Sequence, residues 1–194
     1  MEIITYQLGP LQANCYFLIE GNDCLIIDPA DDASFILEEI QRRRLNLVGM
    51  LATHGHFDHI GAAGEIQLSF KIPLYIFKED QFLIDRLGET AEYFLDYKPY
   101  IIKPKNIKYF PPSPRFRWTS KFQIIKTSGH TPGGCCFFFK EENALFTGDT
   151  LFAEGVGRTD FSYCSKEDLE KSLAKIRKLK DTIIYPGHGQ SAMI

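Results

Sequence analysis

The sequence predicts an α/β fold of four layers, an αββα sandwich in which two β-sheets face each other and helices cover both outer sides. Short apolar runs rich in β-branched and aromatic residues alternate with longer amphipathic segments, as in strands followed by helices. The same plan of strands, a histidine or aspartate, and a helix occurs twice. A length of 194 residues allows one sizeable core, so we expect residues 1–194 to form a single domain.

The first half of the chain predicts a sheet that begins as an antiparallel meander. Its first three strands are separated by turn signals that contain Gly-Pro and Gly-Asn, and lie at 3–8, 15–20 and 24–28. A cap at Asp31 or Asp32, followed by an apolar stripe, predicts a helix. The next elements are a strand at 47–52, a helix at 60–70, a strand at 73–77 and a helix at 79–87.

The second half is expected to begin with a long surface loop at about 88–119, because five prolines lie there. This loop is either a lid or a mere connector. The elements that follow are strands at 122–127, 135–140 and 144–147, a helix at 166–180 and a strand at 182–185. Cys135 and Cys136 are neighbours in one strand, so their side chains should point to opposite faces.

Composition excludes several classes of function. The chain is 44% hydrophobic and 24% charged with a net charge of -3, which is typical of a soluble protein without a polyanionic partner. The sequence has neither a signal-peptide pattern nor a run of about 18 apolar residues. The five cysteines show no C-x-x-C spacing and are expected to be reduced. We therefore expect a cytoplasmic protein that binds neither nucleic acid nor membrane. The sequence does not determine its oligomeric state.

The five histidines are concentrated where predicted strands end. Three of them, His54, His56 and His59, lie in the string T-H-G-H-F-D-H. Three further candidates each follow a predicted strand beside a glycine: His130, Asp149 and His188. Chance would place an H-x-H-x-D-H string in such a chain with a probability on the order of one in several thousand. Histidines that are merely hydrogen-bonded in a core are the weaker interpretation.

The spacing within this string predicts two metal ions. His54 and His56 are two positions apart at the end of a strand, so their side chains reach the same point. Asp58 and His59 are adjacent and do not easily join that point, which divides the string into two pairs. Imidazole and carboxylate ligands suit zinc, manganese or iron rather than calcium or magnesium. We expect two divalent ions, with zinc favoured over iron or manganese.

The order of these motifs resembles that of the metallo-β-lactamase superfamily of hydrolases. The motifs are H-x-H-x-D-H at 54–59, Gly-His at 129–130, Gly-Asp at 148–149 and Gly-His at 187–188. The resemblance spans nearly the whole chain and implies an αββα sandwich with a metal pair at one edge. It implies His54, His56 and His130 as ligands of one metal, Asp58, His59 and His188 as ligands of the other, and Asp149 as a bridge.

Shorter strings resemble the glyoxalase II-like branch, including its short single-domain members. They are ANCYFLI at 13–19, IDP at 27–29, GHTPGG at 129–134, LFTGDTLF at 145–152 and GRTDF at 157–161. This resemblance implies a hydrolase of a small thioester such as S-lactoylglutathione. The chain ends six residues after His188. The resemblance implies that full-length relatives hold glutathione with a C-terminal helical domain, which we do not expect here, so the identity of the thiol part of the substrate stays open.

Thioester hydrolysis suits a metal pair, because an activated carbonyl needs chiefly a strong nucleophile and a partner for its oxyanion. Asp58 is expected to be catalytic, as a ligand of the second metal that orients the attacking hydroxide. Arg158 and Asp160 are expected to pair and to shape the site or contact substrate. An ordinary structural ion pair is the alternative for these two residues.

Two other functions remain open at this point. A mononuclear iron persulfide dioxygenase resembles the same branch and shares the H-x-H-x-D-H and GRTDF strings. It would use His56, His130 and Asp149 as a facial triad on one iron. The third possibility is a metal-binding module without catalytic activity. Turnover of a thioester without oxygen distinguishes the hydrolase from both.

Overall fold

The computed structural model describes residues 1–110 and 122–194, in which two β-sheets stack face to face. The six strands of the first sheet lie side by side in chain order: β1 (Glu2–Leu8), β2 (Ala13–Glu20), β3 (Asp23–Ile27), β4 (Asn46–Leu51), β5 (Leu74–Ile76) and β6 (Ile107–Tyr109). The first three strands are antiparallel, which confirms the predicted meander. The pairings from β3 to β6 are parallel.

The second sheet has five strands among the described residues. They are β7 (Gln123–Lys126), β8 (Cys135–Phe139), β9 (Ala144–Gly148), β12 (Ile183–Pro186) and β13 (Ala192–Met193). Their order in space is β13-β12-β9-β8-β7, and β9 and β12 run parallel. A hairpin of β10 (Leu151–Phe152) and β11 (Gly155–Val156) follows β9. The sequence did not predict this hairpin or β13, because two-residue strands are too short to show a periodic pattern.

Helices cover the outer faces of both sheets. They are α1 (Ala33–Arg42), α2 (Phe57–Ile60), α3 (Ala63–Ser69), α4 (Gln81–Asp85), α5 (Leu87–Leu95) and α6 (Lys166–Ile176), with a 3₁₀ turn at Lys78–Asp80. Of the two proposed caps of α1, Asp32 is the residue whose side chain accepts a hydrogen bond from the Phe35 amide. No helix within the described ranges is both long enough and apolar enough to cross a bilayer.

Three apolar cores separate the layers in the described part of the chain. One lies between the first sheet and helices α1 to α5, and another lies under α6 on the far face of the second sheet. The core between the sheets includes Tyr16 and Leu18 of β2 and Phe137 and Phe146 of the second sheet. Cys135 belongs to the core between the sheets and Cys136 to the core under α6, which confirms their opposite directions. The predicted αββα layers are therefore confirmed.

The predicted loop at 88–119 is wrong over its first part, which forms helix α5. Residues 87–95 contain no proline, and Leu87 and Ala91 are buried on one face of this helix. The prolines begin only at Pro99, so they indicate irregular structure from there onward and not for the eleven residues before it. Residues 107–109 pair with β5 as strand β6. Residues 111–119 of the predicted loop lie outside the described part of the chain.

The predicted helix at 60–70 is also corrected, because it begins only at Ala63 as α3 and a separate short helix, α2, lies before it. The amide of Ala62 bonds to the carbonyls of Pro29 and Ala30, at 3.1 and 3.2 Å, instead of continuing one helix. The first of the two helices begins already at Phe57. Asp58 and His59 therefore lie on a single helical turn, and this turn sets the direction of their side chains.

Glu39 joins helix α1 to strand β1 and is expected to make stability depend on pH. Its carboxylate accepts hydrogen bonds from Tyr6 at 2.6 Å, from two Arg42 nitrogens at 2.7 Å and from Arg43 at 3.0 Å. The bonds from Arg42 and then Tyr6 lower the pKa of Glu39 to about 2 from an ordinary value of 4.5.

We expect Glu39→Gln to lower the free energy of unfolding at pH 7 by about 1 kcal/mol. Because the folded state has the lower pKa, this contribution is complete above about pH 5 and is lost as the pH falls towards about 2. Urea unfolding of both proteins across this range measures the difference. Glu38→Gln, at an exposed position of the same helix, is the control. A difference that does not change with pH would contradict the role of the carboxylate.

Candidate metal centre

The predicted ligand residues meet at one edge of the two sheets. His54 and His56 follow β4, Asp58 and His59 lie on α2, and the remaining residues are carried by segments that follow strands of the second sheet: His130 after β7, Asp149 after β9 and His188 after β12. The structure thus brings all seven of these residues together, although they are spread over residues 54–188 of the chain.

Three imidazole nitrogens converge in the first group. His56 Nδ1 lies 3.0 Å from His54 Nε2 and 3.1 Å from His130 Nε2. One ring N–H can satisfy only one of these contacts, whereas a cation accepts all three lone pairs at once. This geometry is suited to one divalent ion.

The second group adds a carboxylate. Asp58 Oδ2 lies 3.2 Å from His188 Nε2 and 3.7 Å from His59 Nε2. Ligand atoms of these three residues all lie within 4.8 Å of one another, as do those of the first group. Ligand atoms of His54, His59 and Asp149 lie equally close together, so the two groups adjoin, and the division of H-x-H-x-D-H into one pair per metal stays a prediction.

Asp149 lies between the two groups. Its Oδ2 atom is 3.5 Å from His130 Nε2, and its Oδ1 atom is 3.3 Å from His59 Nε2 and 3.8 Å from His188 Nε2. One carboxylate thus contacts histidines of both groups with different oxygens, which is the geometry that a bridging ligand requires.

Two buried atoms in the centre test whether divalent ions fit these residues. His59 Nε2 and Asp149 Oδ1 are inaccessible to water and make no well-aligned hydrogen bond among the described residues, although they lie 3.3 Å from each other. A buried polar atom without a partner is costly, so native proteins rarely leave one unless another group completes it. Since both atoms carry lone pairs that a cation binds, the residues present fit a metal pair.

Electrostatics differ between the two groups. Burial, and then the neighbouring histidines, lower the pKa of His54 well below its usual range, and they lower the pKa of His56 to about 3. Burial would lower the pKa of His59 as well, but the carboxylates of Asp149 and Asp58 outweigh it and raise this pKa well above 6.5. The first group therefore presents neutral imidazoles, the form that binds metal, whereas His59 of the second group has to give up a proton before it can bind a metal ion.

A single buried carboxylate orients one histidine of each group. Asp28 Oδ2 lies 3.0 Å from His59 Nδ1 and 2.7 Å from the hydroxyl of Thr53, which in turn lies 3.1 Å from His54 Nδ1. With both Nδ1 atoms protonated, each ring presents Nε2 to the centre. The IDP string contains Asp28, but the sequence alone did not reveal this function.

The other histidines are held by groups that the sequence analysis did not identify. His130 Nδ1 lies 2.9 Å from the carbonyl oxygen of Arg158, and His188 Nδ1 lies 3.1 Å from that of Leu11. His56 differs, because its Nε2 contacts the Tyr163 hydroxyl at 2.8 Å and its Nδ1 faces the centre. Backbone carbonyls leave no signal in a sequence, and Tyr163 stands in no recognisable motif.

Asp80 is a second buried carboxylate that the sequence analysis did not single out. It accepts hydrogen bonds from the Gly55 amide at 3.0 Å, the Thr131 hydroxyl at 2.8 Å and the Gly133 amide at 2.6 Å. Burial raises its pKa, and these bonds oppose the rise. Asp80 thereby connects the segment that carries His54 and His56 to the segment that carries His130.

Glycine at position 187 is required by the packing of the centre. A Cβ atom there would overlap Asp149 Oδ1 and lie 2.5 Å from His59 Cε1. Any larger residue would therefore push two of the candidate ligands apart. This explains the glycine beside His188 that the sequence analysis noted.

Arg158 and Asp160 form the predicted pair. Two guanidinium nitrogens of Arg158 bond to the two carboxylate oxygens of Asp160 at 2.6 and 2.5 Å. The guanidinium also lies over the ring of Phe161, 4.3 Å from its centroid. Neither side chain belongs to a metal-ligating group among the described residues, but Arg158 lines the cavity beside the centre.

Open space adjoins the centre on two sides. A cavity of about 220 Å³ lies against His56, Asp58, His130 and Asp149. A second space of about 530 Å³ lies on the side of His188. The two spaces share no lining residue, and each of them contacts at least one candidate ligand.

Comparison with known proteins places this geometry in a family. Residues 8–188 match the family model of the Metallo-beta-lactamase superfamily. The chain is 34% identical to hydroxyacylglutathione hydrolase GloC of Haemophilus influenzae, over 100% of this chain and 93% of that protein. It is 32% identical to the probable metallo-hydrolase YqgX of Bacillus subtilis, over 94% of this chain and 87% of that protein.

A solved structure extends the comparison to the fold. The crystal structure of TTHA1623 in a di-iron-bound form superposes with a TM-score of 0.88 and 31% identity, and covers 98% of this chain and 94% of that one. The similarity to GloC confirms the predicted resemblance to the glyoxalase II-like branch.

Proposed function

The chain belongs to the metallo-beta-lactamase superfamily, and on that premise we propose that it is a binuclear metal-dependent hydrolase of a thioester, S-lactoylglutathione or a related hydroxyacyl thioester. The observation that carries this proposal is the pair of ligand groups that share Asp149 beside an open cavity. The hydroxyacylglutathione hydrolase among the relatives supports the choice of substrate.

The residues proposed to hold the metals are those that the resemblance implied: His54, His56 and His130 for one ion, Asp58, His59 and His188 for the other, and Asp149 for both. We propose zinc, with iron or manganese as the alternatives. Two such ions would supply hydroxide at neutral pH and an electrophile for the carbonyl oxygen. Asp28, Thr53 and Tyr163 would keep the rings in the tautomers that bind metal.

Asp58 is proposed to orient the attacking water. Burial opposes its ionisation, but the charge of His59 and the hydrogen bond with His188 outweigh burial and lower the pKa of Asp58. It is therefore an anionic acceptor at neutral pH. In the reaction the water oxygen forms a bond to the acyl carbon, the C–S bond breaks, and a carboxylate, a thiol and a proton result.

Hydrolysis of S-lactoylglutathione under nitrogen tests this proposal. We expect loss of the thioester at a rate that a chelator abolishes and that added zinc, iron or manganese restores. Failure of the metal-loaded protein to cleave S-lactoylglutathione or any other hydroxyacyl thioester would refute the proposal. Oxygen uptake with glutathione persulfide would then support a dioxygenase, and inactivity in both assays would support a metal-binding module.

A further inference from the structure

The cavity beside the metal centre has one wall of candidate ligands and another of aromatic rings. Phe57 of α2 and Phe94 of α5 stack at a centroid distance of 6.2 Å, and Phe94 meets Phe161 edge to face at 5.9 Å. Phe161 also meets the His56 ring at 5.9 Å. The aromatic wall, which we define as Phe57, Phe94 and Phe161, therefore continues directly into the metal centre.

The size and charge of the cavity favour an uncharged ring. Its volume is about 220 Å³, and an apolar cavity of about 150 Å³ already binds benzene. Apart from the candidate metal ligands, Arg158 is the only charged residue among the described ones that line it. The charge of Arg158 is offset by two bonds to Asp160, and its guanidinium stacks on Phe161. The cavity is thus poorly suited to a carboxylate and well suited to an apolar group.

The space on the other side of the centre has a different character. It is larger, at about 530 Å³, and its lining includes the polar side chains of Glu154 and Gln190. Thiols that carry acyl groups in metabolism are long and polar, so this side suits the thiol part better. The aromatic cavity contacts candidate ligands of both metals. A group bound in this cavity would therefore be only one or two bonds away from a carbonyl carbon held at the metals.

We infer that the aromatic cavity binds the acyl group of the thioester and that the preferred acyl group carries an apolar ring, as phenylacetyl does. This inference rests on the proposed thioester hydrolysis at the metal centre, and it extends the substrate class from the hydroxyacyl thioesters named there to aryl-substituted acyl thioesters.

Two thioesters with the same small thiol, N-acetylcysteamine, test the inference. We expect kcat/KM for the phenylacetyl thioester to exceed that for the acetyl thioester by about tenfold or more, as burial of an aromatic ring allows. Equal values would overturn the inference while leaving the proposed hydrolase intact. A failure of the proposed function would instead appear as no turnover of either thioester or of S-lactoylglutathione.

Variants of α5 separate binding in the cavity from general hydrophobic attraction. Phe94→Ala removes one ring of the aromatic wall and should lower the phenylacetyl-to-acetyl ratio about tenfold. Tyr93→Ala is the matched control, because Tyr93 is the next residue, is 81% exposed and does not line the cavity. A ratio that falls with Tyr93→Ala and not with Phe94→Ala would place the ring outside the aromatic cavity, in the neighbouring cleft that Phe82, Tyr93 and Tyr163 line, and would overturn the inference.

A variant that fills the cavity gives the opposite change. Thr90 lines the cavity from α5, and Thr90→Trp should exclude the phenylacetyl group, so that the acetyl thioester becomes the better substrate. A phenylacetyl preference that survives this variant would contradict the inference.

Binding of the corresponding amides, measured by calorimetry, supplies a readout that does not depend on turnover. The phenylacetyl amide should bind at least about tenfold more tightly than the acetyl amide to the wild-type protein, and this difference should be lost in Phe94→Ala. Equal binding of both amides would overturn the inference even if no thioester were cleaved.

Discussion

Replacing Asp149 with asparagine is expected to remove both metal ions and to lower kcat/KM for thioester hydrolysis by more than about a hundredfold. Loss of a residue that only orients a ligand typically costs 10- to 100-fold in metal affinity or activity, and a shared ligand should cost more. Asp149 contacts His130 with one oxygen and His59 with the other, and an amide offers neither the charge nor the second oxygen. Metal content after gel filtration, with circular dichroism to confirm folding, measures the effect.

His188→Ala is the control for this prediction. His188 belongs only to the second group, and its side chain is 30% exposed, so its loss should spare the fold. We expect this variant to retain one equivalent of metal and Asp149→Asn to retain almost none. Loss of a single equivalent from Asp149→Asn would contradict the bridge, and two equivalents in His188→Ala would contradict the second ligand group.

Replacing Asp80 with alanine is expected to lower the free energy of unfolding by about 3 kcal/mol, because three buried donors would lose their acceptor. Two of these donors are the amides of Gly55 and Gly133, in the segments that carry His54, His56 and His130. We therefore also expect the affinity for the first metal to fall about 10- to 100-fold. Chemical unfolding of the metal-free protein and titration of zinc against a competing chelator separate the two effects.

Two further variants show whether Asp80 acts through its acceptors. Asp80→Asn keeps the shape and one acceptor oxygen, so it should recover part of both losses. Asp85→Asn changes an exposed carboxylate on α4, whose contact is with Gln81, and should leave stability and metal affinity unchanged. Metal affinity in Asp80→Ala equal to that of the wild type would show that Asp80 supports the fold without positioning the ligands.

The layers of the fold were predictable because burial on both faces of a sheet leaves continuous apolar runs in the sequence. The run around Cys135 and Cys136 shows this, since alternate side chains enter different cores. The ends of helices were less predictable where a strong signal for irregular structure lay next to a weak helical pattern. The prolines after Pro99 concealed helix α5, whose buried face shows only as Leu87 and Ala91.

The candidate ligands could be identified from the sequence because each lies at a strand end or in a short string of fixed spacing. Their proximity is seen in the structure, and their roles as metal ligands remain a prediction. The groups that hold them had no such signal. Asp80 and Gly133 are 53 positions apart, and His56 and Tyr163 are 107 positions apart.

By itself, then, the sequence determined the layered α/β architecture, the resemblance to a superfamily and the seven residues proposed for the metals. Only the tertiary structure decided which buried groups orient those residues and which rings form the wall of the cavity beside them. The physical reason is the range of the interactions. Hydrophobic periodicity and ligand spacing are set over a few neighbouring residues, whereas the hydrogen bonds of Asp28 and Asp80 and the contacts of Phe94 with Phe161 exist only after distant segments have packed together.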